Sequence, residues 1–154
     1  MNVLRSPRSS RLAPPVFARG LLAEARRMEG LRRSAGRRMA DWGASADAVD
    51  LVRLGVTELL TNVCRHVPDP RCCLRISRGG GAVLVEVWDR SAQPPVIGEA
   101  PDWTGECGRG LWLLRQLADD LGYMPTPYAS PDGPLMGKTV WFTCRSAFPD
   151  ESGT

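Results

Sequence analysis

Glu58 and Asn62 are the two residues of this chain best spaced to do chemistry together. They stand one helical turn apart in the stretch LVRLGVTELLTNVCRHV at residues 51–67. At 100° per residue, Glu58, Asn62, Arg65 and His66 fall within about 100° of one another. Val52, Val56, Leu59, Leu60 and Val63 gather on the other side. A carboxylate and a carboxamide so placed can offer two oxygens to one small ligand. A solvated polar face on a surface helix accounts for the same pattern, so the rest of the chain must decide.

Three further places offer complementary chemistry. Asp89 ends an apolar run, where a carboxylate can accept a hydrogen bond from an exocyclic amine such as that of adenine; a strand-ending turn would also use an Asp. Gly108-Arg109-Gly110 precedes an apolar period of 3.6 residues. A helix start with free N–H groups and glycines lets a phosphate approach closely, and Arg109 can add charge-assisted bonds. The G-x-G does not follow a strand directly, which argues against a Rossmann or P-loop site. Thr139, in Gly137-Lys138-Thr139, offers a hydroxyl beside a strand, although β-propensity alone would place a threonine there.

The elements that must position these groups are readable in outline. A stripe of Leu21, Leu22, Ala25, Met28, Leu31, Ala35, Met39 and Trp42 predicts a helix over residues 19–42. Gly43 ends it, Ser45 is a cap, and the helix carrying Glu58 runs over residues 46–66 until Pro68 and Pro70. Residues 72–78 and 82–89 flank three glycines and read as a β-hairpin, with Val83, Val85 and Val87 on one face. Residues 90–107 have no period and read as a functional lid or a disordered segment. A helix opens at Gly108 and closes at Gly122, a short strand spans 123–126, and a final strand spans 138–145. The order predicts an α+β sandwich, with helices on one face of a mainly antiparallel sheet. Residues 1–16 and 146–154 read as disordered tails around a domain spanning 17–145.

Composition narrows the function classes. With 154 residues, 43% apolar and 24% charged, the chain is long enough for one domain with a real core. No apolar run is long enough for a transmembrane helix or a signal peptide, so a cytoplasmic location is expected. One histidine and five irregularly spaced cysteines argue against a histidine metal centre, a zinc pair and a disulfide framework. Residues 1–38 carry ten arginines against Glu24 and Glu29, whereas the remainder is net acidic. No aromatic side chain stands among Arg5, Arg8 and Arg11 to stack bases, which weighs against nucleic acid and leaves a solvated face or an acidic protein partner. Arginine outnumbers lysine nineteen to one, read here as composition bias.

In order, Glu58-Leu59-Leu60-Thr61-Asn62, Arg65-His66, Asp89-Arg90-Ser91, Gly108-Arg109-Gly110-Leu111 and Gly137-Lys138-Thr139 resemble the histidine-kinase-like (GHKL) ATPases. Within that group they are most similar to the anti-sigma-factor serine/threonine kinases. The resemblance spans about residues 18–145 and implies a Bergerat-type two-layer sandwich that binds ATP with Mg2+. It implies Glu58 as general base, Asn62 as magnesium ligand and Asp89 as reader of the adenine amine. Gly108, Arg109, Gly110 and Leu111 would form the phosphate-side helix start, and Thr139 would stand near adenine. Arg65 and His66 would match an Arg-His pair common at the end of this helix, with a phosphate-binding or structural role. Ser91 replaces the glycine of the family's Asp-x-Gly, and Lys138 stands where many relatives have glycine. The implied partners are a small STAS-like antagonist protein, a sigma factor and a second copy of the chain. A non-catalytic nucleotide-sensing module of the same fold is the alternative.

Overall fold

The computed structural model describes residues 16–96 and 109–149, and every structural statement here concerns those residues. Five strands form one sheet: β1 (Val16–Leu22), β2 (Arg71–Gly79), β3 (Ala82–Asp89), β4 (Asp120–Tyr128) and β5 (Leu135–Cys144). Their order is β1-β2-β3-β5-β4, and every neighbouring pair is antiparallel. Three α-helices accompany them: α1 (Met28–Asp41), α2 (Ala46–His66) and α3 (Arg109–Leu117). This is the expected α+β arrangement, with the sheet antiparallel throughout.

The core lies between the sheet and α2. Val83, Val85 and Val87 of β3 point inward with Leu74 and Ile76 of β2 and Val140 and Phe142 of β5. They meet Val52, Val56, Leu59, Leu60 and Val63 of α2. Gly55 is what lets the helix lie this close, because a Cβ there would overlap the Phe142 ring. Ser45 caps α2, its hydroxyl accepting from Ala48 N–H at 3.2 Å. Gly36 of α1, a weak helix former in isolation, is buried where a Cβ would press on the Arg53 stem, so it serves the α1–α2 contact.

Four expectations need correction. The helix expected from residue 19 begins at Met28, after a short 3-10 turn at Ala25–Arg27. Residues 16–22 are instead an edge strand, with Leu21 opposite Cys72; Leu21 and Leu22 fit a helical stripe only by coincidence of spacing. Similarly, α3 stops at Leu117, and Leu121 belongs to β4 opposite Phe142. Gly122 does not cap a helix; it lies flat under Trp141, where a Cβ would come within 2.7 Å of the ring. β4 and β5 run longer than predicted, and Pro125 and Pro127 are tolerated because β4 is an edge strand. Finally, Ala147 and Phe148 are buried rather than part of a tail. Ala147 N–H donates to Gly81 O, Ser45 N–H donates to Ala147 O, and Arg78 stacks on the Phe148 ring at 4.1 Å.

Candidate functional site

Asn62 is the one polar side chain on the buried stripe of α2, 8% exposed among Leu59, Leu60 and Val63. What it faces follows from the direction of the helix. Ser45, at the start of α2, is hydrogen-bonded to Ala147 just beyond the end of β5. His66, at its end, leads through Pro70 to the first residue of β2. The helix therefore runs antiparallel to β5. From Gly55, seated on Phe142, to Asn62 is about 10 Å along the helix. From Phe142 back to Lys138 is about 13 Å along the strand. Asn62 thus lies over the end of the sheet where Asp89 and Lys138 stand opposite each other.

That pair is the least expected feature of the site. Lys138 Nζ donates to Asp89 Oδ1 at 3.0 Å and lies 2.9 Å from Oδ2, with both side chains almost wholly buried. Ser91 N–H also donates to Oδ1, at 2.9 Å, whereas Oδ2 receives no hydrogen bond of good geometry. A buried carboxylate oxygen without a donor is costly unless a partner arrives. Gly137 makes the close strand pairing possible, since a Cβ there would overlap the Asp89 carbonyl. Ser91 replaces a glycine without strain: Ser146 is the one non-glycine residue of positive φ among those described.

Alternation removes Thr139 from this group. It pairs with Trp88 and so projects from the opposite face of the sheet, where its hydroxyl lies 2.7 Å from that of Thr126. The residue beside Asp89 is Lys138, one position earlier. Leu111 is a core residue, 3% exposed and packed in the hydrophobic cluster. Gly108 lies outside the described residues, as do 97–107 of the expected lid. Arg109 opens α3, and Gly110 follows it.

Glu58 turns toward α3. A Cβ on Gly110 would overlap its carboxylate, so this glycine is what allows Glu58 to sit against the first turn of that helix. Burial pushes the Glu58 pKa up, partly offset by the positive charge of Arg65. Glu58 also borders a cavity of about 310 Å³ that it shares with Arg32, Arg53 and Thr57. Arg65 and His66 are exposed on the last turn of α2, so the structure brings Arg65 toward Glu58 by charge and leaves His66 at the rim.

A brace that sequence reasoning missed holds this end of the sheet. Asp69 accepts from Arg71 and pairs with Arg90 at 3.5 Å, and the Arg71 bonds pull its pKa down to about 2. Arg90 in turn covers the Tyr128 ring at 4.9 Å. A cavity of about 590 Å³ lies at the far end of α2, beside Ser45 and Cys144, and is lined by none of the candidate residues. The missed residues did carry a signal: Lys138 is the single lysine of the chain.

The histidine kinase-like ATPase domain family matches residues 21–143. The chain belongs to this family. Fourteen chains of solved structures also resemble it. One contains the RsbU and RsbW domains of Rv1364c from Mycobacterium tuberculosis, with a TM-score of 0.61 and 18% identity. The match covers 85% of this chain and 32% of that one, so the present chain spans about a third of that protein. At this identity the likeness establishes the fold. No curated protein sequence matches significantly.

Membership in an ATPase family makes ATP the expected ligand of the Asn62–Asp89 end, and the residues there fit it. Asp89 Oδ2 is a buried carboxylate oxygen that is ion-paired with Lys138 and receives no hydrogen bond of good geometry. The Asn62 carboxamide is a hard oxygen ligand suited to Mg2+, which takes few protein ligands and keeps its waters and phosphate oxygens. Among the described residues, no group of three His, Cys, Asp or Glu side chains could hold a metal. Among the described residues no helix is long and apolar enough to cross a membrane.

Proposed function

We propose that this protein is a Mg-ATP-dependent serine/threonine kinase and anti-sigma factor that phosphorylates a small STAS-like antagonist protein. The reading is carried by one observation: the buried Asn62 carboxamide lies over the sheet end where Asp89 keeps one carboxylate oxygen undonated. In this reading Asp89 Oδ2 accepts the adenine amine, and Asn62 holds Mg2+ against the phosphates. The metal supplies charge neutralisation to a transfer that needs positioning more than covalent chemistry. Glu58, one turn before Asn62 and with a raised pKa, accepts the proton of the acceptor hydroxyl. The backbone at Arg109 and Gly110 offers the positive end of α3 to the phosphates.

The partners belong to the proposal too: the antagonist, a sigma factor, and a second copy of the chain, all in the cytoplasm. The test is transfer of labelled γ-phosphate from ATP to a candidate antagonist. Wild-type protein should label one serine or threonine, and Glu58→Ala should reduce the rate at least a hundredfold. Unchanged transfer by Glu58→Ala would remove Glu58 from the chemistry. A second reading has its own support. Because Glu58 is packed against Gly110, a nucleotide-sensing module that never transfers phosphate would show ATP binding with no labelled partner.

A further inference from the structure

Lys138 stands in the base-reading position of the site and calls for a role of its own. In a chain with nineteen arginines it is the only lysine, and it is buried rather than solvated. It shares one sheet face with Asp89, directly across the β3–β5 pairing. Its Nζ is within 3.0 Å of both carboxylate oxygens, yet it donates with good geometry to one of them only. An ammonium has three donors and no acceptor. The ammonium therefore pairs with Oδ2 by charge at 2.9 Å, has donors beyond the one given to Oδ1, and forms with Asp89 a paired donor and acceptor on one sheet face.

We infer that Lys138 is a second base-reading residue, and that the Asp89–Lys138 pair admits a 6-oxopurine nucleotide as well as a 6-aminopurine one. This rests on the nucleotide-site reading above. A lone carboxylate accepts the amine of adenine but repels the O6 carbonyl of guanine. With an ammonium beside it, adenine is read as amine to Asp89 and N1 to Lys138. Guanine, moved by one ring position along the pair, is read as N1–H to Asp89 and O6 to Lys138. A carbonyl oxygen is the natural partner of a buried ammonium, because a charge-assisted bond is about twice as strong as a neutral one. A site that hydrogen-bonds a group rejects the analogue that lacks it far more strongly than an apolar pocket does. Lys138 is thus a specificity residue, not a participant in phosphate transfer.

The experiment is a calorimetric titration of the full chain with MgATP, MgGTP and MgITP; the last keeps O6 and N1–H but lacks the 2-amino group. In the wild type, GTP and ITP should each bind within tenfold of ATP. A larger disadvantage for both overturns the inference while leaving ATP binding, and hence the underlying reading, intact. Binding of none of the three overturns both. Lys138→Met should then weaken GTP and ITP at least tenfold more than ATP. An equal loss for all three nucleotides would assign Lys138 a structural role only and overturn the inference. The wild-type comparison requires no variant to fold.

Discussion

Replacing Lys138 by methionine removes one ammonium and keeps nearly all of the side chain's length and apolar stem. In the wild type, Nζ lies 2.9–3.0 Å from the two oxygens of Asp89, with the lysine side chain 4% exposed and the aspartate side chain 1%. After the substitution the carboxylate keeps only the Ser91 N–H donor. Breaking a buried ion pair from one side costs about 3–5 kcal/mol, mostly the penalty of the charge left behind. That is a large part of the ~5–15 kcal/mol that holds a typical domain folded. At ~2–4 °C per kcal/mol for a chain of this length, Tm should fall by roughly 6–20 °C. Urea unfolding followed by circular dichroism should show a lower midpoint with an unchanged slope. Asp89→Leu/Lys138→Met, which replaces both charges by apolar groups, should recover most of the loss. A single variant that loses less than about 1 kcal/mol, or a double variant no better than the single, would refute the buried pair as described.

Three further perturbations address separate parts of the account. Burial raises the Glu58 pKa above 4.5, so its stabilising protonated form is complete below about pH 4.5 and is lost as pH rises through the folded value. Glu58→Gln does not titrate there and should therefore gain in Tm relative to wild type between pH 4 and pH 8; a constant difference across that range would contradict the burial. Phe148→Ala should destabilise by about 3–5 kcal/mol in chemical denaturation, as a core aromatic does, whereas a disordered tail would give no change. Gly55→Ala sets two principles against each other. Helix propensity alone predicts a gain of ~1 kcal/mol, but overlap with the Phe142 ring predicts a loss of about 1–3 kcal/mol, and the structure requires the loss.

How much of this was legible before the structure depended on the kind of signal. The α2 helix, its Ser45 cap and the alternation of Val83, Val85 and Val87 were readable, because burial on one face writes a period directly into the sequence. β1 and the β4 end were not. Edge strands bury one side incompletely, and Leu114, Leu117, Ala118 and Leu121 continue a helical spacing across a junction fixed by pairing with β5. At the site, Asn62 and Asp89 were legible as motif residues, and the structure places them at one end of the fold. Thr139 was off by one position, and in a strand one position means the other face. Lys138 was legible only as a departure from the family's glycine, and only the strand register shows it across from Asp89. Ser91 looked like a defect but works through its backbone N–H, which a serine supplies as well as a glycine does.

The most direct test of the nucleotide site is an ATP titration with and without Mg2+, on wild-type protein and on Asn62→Ala. Wild type should bind ATP more tightly with Mg2+ than without it, and Asn62→Ala should lose that magnesium-dependent gain while remaining folded. Magnesium-dependent ATP binding of wild-type strength in Asn62→Ala would contradict the magnesium role of Asn62.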